Sequence, residues 1–260
     1  MNRVLAVAAH PDDIEFLMAG TLIRLKDAGL EIHYWNLANG CYGSAKTDRE
    51  ETIRIREKES IESCKQLGAT FHPSICDDLS VFYDRETLAR VTSKIREIEP
   101  SIILTHSLED YMEDHTNTAR LVVTGAFSRA MKHFAVTPPQ PSTHQNICLY
   151  HAQPYSNLTP MRKLVVPDIF VDTESLIASK KELLSCHKSQ KDWLDQSQGL
   201  DSYLETIGQL DGQVGRMSGQ FKFAEGWRRH LHLGFGGEEE NFLVSELHQS
   251  DQQTHVILEE

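Results

Sequence analysis

Near the start of the chain, His10-Pro11-Asp12-Asp13 brings an imidazole and two adjacent carboxylates to the end of an apolar run. His10 and Asp13 stand three apart at a predicted strand-to-helix turn, so both can face one point. A neutral imidazole and a carboxylate suit a borderline divalent ion such as Zn2+. Catalytic zinc keeps an open position for water, so a third protein ligand must come from elsewhere. His115, within Asp110-Tyr111-Met112-Glu113-Asp114-His115, is the strongest candidate. Asp12 is then left unligated beside the ion, where a general base for the activated water is needed. The ordinary alternative needs no metal: Asp12 caps a helix and Asp13 complements its dipole.

Hydrophobic patterning predicts the elements that position these groups. Val4 to Ala8 reads as a short buried strand. Ile14, Leu17, Met18, Leu22 and Leu25 recur at helical spacing, and Ala28-Gly29 ends that helix. The pattern then predicts a strand over 32–37, a charged helix over 48–67, a strand near 71–76, a helix through Leu88 to Ile98, a strand over 102–104 and a helix over 116–133. Pro138, Pro139 and Pro141 break the chain. Strands near 147–151 and 168–172, a helix at 174–188 and a polar helical stretch from about 191 follow. The four glycines in 208–219 read as a loop, and the end of the chain as a loose tail in which Val256-Ile257-Leu258 could pair as a strand.

Strand and helix in alternation predict an α/β fold, Rossmann-like, with a mostly parallel sheet and helices on both faces. Ligands of such sheets bind outside the carboxyl ends of the strands. His10, Asp12 and Asp13 follow the first strand, Asn39 and Gly40 the second, and Asp77 and Asp78 the third. His106 ends the fourth, Asp114-His115 begin the next helix, and His151 ends a later strand. Polar groups far apart in sequence thus converge on one edge. His106 reads as a hydrogen-bonded or pocket-lining histidine rather than a ligand. His33, His72, His133, His230 and His232 read as surface or core residues.

Composition bounds the rest. The 260 residues, 40% hydrophobic, suffice for one large α/β domain. A net charge of −12 with no basic block excludes a broad phosphate-binding face, and with it a nucleic-acid partner. Five scattered cysteines without a C-x-x-C fit reduced thiols in a cytoplasm. The apolar start is too short for a signal-peptide core, and no run approaches the roughly 18 apolar residues of a membrane span. No membrane partner is therefore expected.

Ala9-His10-Pro11-Asp12-Asp13 resembles the A-H-P-D-D signature of the PIG-L/LmbE-like N-acetylglucosaminyl deacetylases. Arg56-x-x-Glu59 followed by Leu67-Gly68-Ala69 resembles that family's R-x-x-E…L-G segment, and Asp114-His115 its second metal motif. Lys181…His187-Lys188-Ser189-Gln190 is similar to its K…H-x-S-Q helix, and Ala224-Glu225-Gly226 to its A-E-x-F segment, with Trp227 in place of Phe. The resemblance implies an LmbE-like three-layer sandwich. It implies a single domain over 1–245, with a core over 1–135 and C-terminal strands and helices over 145–245, then a tail over 246–260. It implies His10, Asp13 and His115 as zinc ligands, with Fe2+ or another divalent ion the alternative, and Asp12 as general base. Arg56 becomes a substrate- or acetate-facing residue, with Arg54 its rival, and Asp114 a modulator behind the metal. The implied activity is zinc-dependent removal of acetyl from an N-acetylated amino sugar or its conjugate, by a cytoplasmic homo-oligomer. The alternatives are a zinc amidohydrolase acting on a non-sugar N-acyl substrate and a non-catalytic sugar-binding Rossmann-like protein. No G-x-G-x-x-G follows the first strand, which argues against a dinucleotide site. Many relatives hold a histidine where this chain has Met112, and Tyr111, His106 and His151 are the groups that could fill that gap.

Overall fold

The computed structural model describes residues 2–190, 194, 203–249 and 256–258. Its elements run β1 (Arg3–Ala8), α1 (Asp13–Leu17), α2 (Ala19–Asp27), β2 (Glu31–Asn36), α3 (Arg49–Leu67), β3 (Thr70–His72), α4 (Arg85–Ile98), β4 (Ile102–Thr105) and α5 (Glu113–Ser128). Then come β5 (Cys148–Ala152), β6 (Ile169–Asp172), α6 (Ile177–Leu184), α7 (Tyr203–Ser218), β7 (Ala224–Arg229), α8 (Phe242–Gln249) and β8 (Val256–Leu258). One eight-stranded sheet has the order β3-β2-β1-β4-β5-β7-β6-β8. The first five strands are parallel, while β7 runs antiparallel to both β5 and β6, and β8 antiparallel to β6. Alternate residues of β1 serve opposite layers: Val4, Ala6 and Ala8 face one core and Leu5 and Val7 the other. This is the α/β sandwich the alternating pattern predicts.

The chain reverses its direction of winding between β1 and β4, which pair directly, Val7 opposite Thr105. Such a switch point opens a crevice beyond the strand ends. The segment after β1 carries His10, Asp12 and Asp13, and the segment after β4 leads to His115. Among the described residues, no helix is long and apolar enough to cross a membrane.

Two local readings are corrected, and one strand, β7, goes unread in the sequence. The stretch 208–219 is not a loop but lies mostly in α7. Of its glycines, Gly215 serves packing: a Cβ there would lie 2.6 Å from the Lys222 carbonyl, so only glycine lets the helix approach the chain leading into β7. β7 lacks an alternating pattern, yet pairs on both edges, so tertiary pairing overrides its glycine and charges. The helix predicted after His10 is broken at Met18 (φ −136°, ψ −16°) into α1 and α2. The polar helical stretch from about 191 lies largely outside the described residues. α8 and β8 occupy part of the segment read as a tail.

The break at Met18 exposes the N-terminus of α2, whose first N–H groups need acceptors. Gly20 and Thr21 donate to the Glu225 carboxylate of β7 at 2.8 and 2.7 Å. Glu225 in turn meets the Lys180 ammonium at 2.6 Å, and Lys180 meets Asp211 of α7 at 2.8 Å. Lys180 is fully buried. Lys181, the lysine of the family-like segment, makes an exposed pair with Glu205, whereas Lys180 is the one built into the fold. Removing one partner of a buried network strands the others. Lys180→Met is therefore expected to destabilise the protein by about 3–5 kcal/mol, and Lys181→Met by about 0–1 kcal/mol, as read by urea denaturation of the two variants.

Candidate active site

The β1–α1 turn is built around an unusual backbone. Asp12 holds φ 111°, a left-handed region that L residues avoid, and its side chain makes no cap hydrogen bond to α1. The plain N-cap alternative is thus not realised. The Asp12 carboxylate instead accepts from the Tyr203 hydroxyl at 2.8 Å, with Arg56 Nη2 3.8 Å away. Both contacts are to Oδ2. Burial pushes Asp12 up to about 6, against the opposing pull of Arg56.

Asp13, His10 and His115 meet beside it. His10 Nδ1 lies 3.4 Å from His115 Nε2 and 3.4 Å from Asp13 Oδ2, and His115 Nε2 lies 3.3 Å from Asp13 Oδ2. The far nitrogen of each ring has a carboxylate partner: His10 Nε2 donates to Asp114 Oδ2 at 3.1 Å, and His115 Nδ1 to Asp110 Oδ1 at 3.0 Å. Those bonds fix the tautomers and turn three electron-pair donors toward one another. Three lone pairs at such separations repel unless a cation sits among them. Metal bonds of about 2.0–2.1 Å in tetrahedral array put neighbouring ligand atoms about 3.3–3.4 Å apart, so the trio fits a zinc-sized ion. Carboxylate-backed imidazoles are the usual support of such a site. The charge pattern agrees. Burial would raise Asp13, but His115, His10 and His106 hold it well below the ordinary carboxylate range. Burial would lower the imidazoles, but Asp114 and Asp13 push His10 to about 9, and Asp13 and Asp110 push His115 to about 10. Asp13 thus demands a positive charge that a divalent ion satisfies.

The supports are themselves held. Asp110 accepts from Met112 N at 3.1 Å, and Asp114 from Leu79 N at 2.6 Å. Arg56 is 1% exposed and donates Nη2 to the Pro11 carbonyl. Its Nε and Nη1 find no partner among the described residues. Its rival Arg54 is exposed and pairs with Glu51. Glu59, three residues on, accepts from Ser189 N and Oγ at 2.8 and 2.6 Å, tying the H-x-S-Q segment to α3.

His10, Asp12, Asp13, Arg56 and His115 line one cleft of about 270 Å³. Asp114 does not line it and sits behind His10. Met112 and Tyr111 are in the cleft wall, whereas His106 and His151 are buried away from it. His106 accepts from Ala9 N at 2.9 Å and stacks on His115 at 4.1 Å. Of the groups that could replace the missing histidine, only Tyr111 faces the cleft. Sequence reasoning missed Asp110 and Tyr203. Asp110 carried a usable signal, a carboxylate five residues before a candidate metal histidine. Tyr203 carried none, since it is brought in by α7.

Residues 5–126 match the family model described as PIG-L: GlcNAc-PI de-N-acetylase. This is the family that the motifs of the chain resemble. It is 26% identical over 240 residues to the diacetylchitobiose deacetylase of Thermococcus kodakarensis, spanning 88% of this chain and 83% of that one. It is 25% identical over 204 residues to a 4-oxalmesaconate hydratase of Pseudomonas putida, spanning 73% of this chain and 74% of that one. The fold superposes on the N,N'-diacetylchitobiose deacetylase from Pyrococcus horikoshii with a TM-score of 0.74 at 22% identity, covering 89% of this chain and 85% of that chain.

Loss of a carboxylate behind a metal histidine typically lowers metal affinity about 10–100-fold. Asp110→Asn is expected to fall in that range in a competitive zinc titration, and Asp77→Asn, whose partners are Asn39 and Arg49, to leave affinity unchanged.

Proposed function

We propose that the protein is a metal-dependent hydrolase that removes the acetyl group from an N-acetylated amino sugar or its conjugate. The observation that carries this reading is the trio His10, Asp13 and His115 with the carboxylate of Asp12 beside it, uncommitted to capping. His10, Asp13 and His115 would hold a divalent ion, zinc in this reading, with Fe2+ or another divalent ion as alternative. Such an ion polarises an acyl carbonyl and lowers the pKa of water toward ~7.

The chain's own residues supply the rest. Asp12, raised to about 6 by burial, is ionised near neutrality yet basic enough to take a proton from the attacking water. Tyr203 and Arg56 engage its Oδ2, which leaves Oδ1 for that transfer. The protonated carboxyl can then return the proton to the departing amine, a job Met112 cannot do. The unpartnered Nε and Nη1 of Arg56 suit an oxygen of the sugar or of the departing acetate. A Cβ at Gly40 would lie 2.7 Å from Arg56 Nε, so glycine there keeps the guanidinium in place.

The relative named as a hydratase supplies a second reading, addition of water to an unsaturated carboxylate. Such a substrate needs cations to receive its charges. Among the described residues of the cleft Arg56 is the one cationic side chain that is not a histidine, and Asp12, Asp13 and Asp78 line the same cleft. That balance favours an uncharged sugar.

Asp12→Asn is expected to keep metal content near wild type while cutting amine release from N-acetylglucosamine conjugates by ~10² or more. Unchanged turnover would place the base elsewhere. Self-association in a cytoplasmic setting completes the reading. A light-scattering mass near the 29.5 kDa of one chain, at micromolar protein, would count against it.

A further inference from the structure

The outer wall of the cleft is apolar and unpacked. Tyr42, Leu79 and Tyr111 all line it, and they are 57%, 63% and 59% exposed. One exposed apolar side chain means little, but three around a single polar floor mark a contact surface. They are also held in place. The Asp78 carboxylate accepts from Gly40 N at 2.7 Å and from Tyr42 N at 3.0 Å. Tyr111 stands edge-on to His115, ring centroids 5.8 Å apart.

Leu79 is the most informative of the three. Its φ is +58°, the left-handed region that favours glycine. In that conformation the Leu79 N–H meets Asp114, which orients His10. A glycine would do that without strain. What leucine adds is an apolar side chain at the lip of the cleft, largely in solvent and so with little packing to repay the strain. Strained residues of this kind cluster where they serve a ligand.

Charge narrows the ligand further. Asp12, Asp13 and Asp78 line the cleft, and Arg56 is drawn to the first of them. A phosphate or carboxylate on the outer part of a substrate would find no cation at the lip among the described residues.

We propose that Tyr42, Leu79 and Tyr111 form a subsite for the substituent on the sugar, and that the substrate is an N-acetyl amino sugar carrying an uncharged apolar or aromatic group. This rests on the deacetylase reading above. The zinc-loaded full chain is compared on benzyl N-acetylglucosaminide (both anomers), N-acetylglucosamine and N-acetylglucosamine 1-phosphate. Expected is a kcat/KM for one benzyl anomer about tenfold or more above that of the free sugar, in line with burial of an aromatic ring, and the lowest value for the phosphate. In Leu79→Gly, which relieves the strain and keeps the N–H, that preference shrinks several-fold. Tyr111→Ser, a substitution outside the hydrogen-bonded backbone, shrinks it as well. Equal values for the three sugars, a preference for the phosphate, or an undiminished preference in both variants overturns the subsite. Calorimetric titration of the same sugars reads the lip without turnover. If no sugar releases amine, the deacetylase reading falls, and the subsite then stands only if benzyl glycoside binds more tightly than free sugar and loses that advantage in Leu79→Gly. Equal binding overturns it.

Discussion

Mutual repulsion of three lone pairs is the constraint on which the rest of the site depends. His10 Nδ1, His115 Nε2 and Asp13 Oδ2 are held within 3.4 Å of one another. With both imidazoles neutral that arrangement is unfavourable, and it calls for a proton or a metal ion among the three. It persists because each imidazole is pinned from behind by a carboxylate, and each carboxylate by a backbone N–H. Asp110 takes the N–H of Met112 and Asp114 that of Leu79. The strain of Leu79 and the repulsion of the trio are thus two ends of one hydrogen-bonded chain. A cation relieves the second, which is why such sites couple metal affinity to fold stability.

The same logic governs the second half of the chain. Glu225, Lys180 and Asp211 form a buried ionic cluster whose anchor is the exposed start of α2. The cluster fastens α6, α7 and β7 to the helix pair that follows the His10 turn. Tyr203 then leaves α7 at the right place to reach Asp12. The polar network is costly to bury, and its use here is positional: it sets where Asp12 and Tyr203 stand.

The convergence of His10, Asp12, Asp13 and His115 at one edge of the sheet was legible from residue type, spacing and strand ends. His10, Asp12 and Asp13 share one turn, whereas the switch point between β1 and β4 depends on strand order, which alternation of elements alone does not give. The supports were less legible, because their partners are set by packing. Lys180 and Lys181 are chemically identical neighbours, and only the rotation of α6 decides which is buried. The glycines of α7 look like loop punctuation, yet Gly215 is a contact surface. β7 exists because two strands accept it, not because its own residues prefer extension. Tyr203 is separated from Asp12 by 191 positions, and no local pattern connects them.

The Tyr203–Asp12 bond has a consequence for how such a protein can diverge. The proposed metal ligands lie wholly within the stretch that matches the family model, residues 5–126. The hydroxyl that holds Asp12 comes from outside it. Recombination that swaps the front of the chain would transplant the proposed ligands intact and leave Asp12 without its partner. Changes in the part of the chain outside that stretch can therefore alter the environment of Asp12 without touching the ligands.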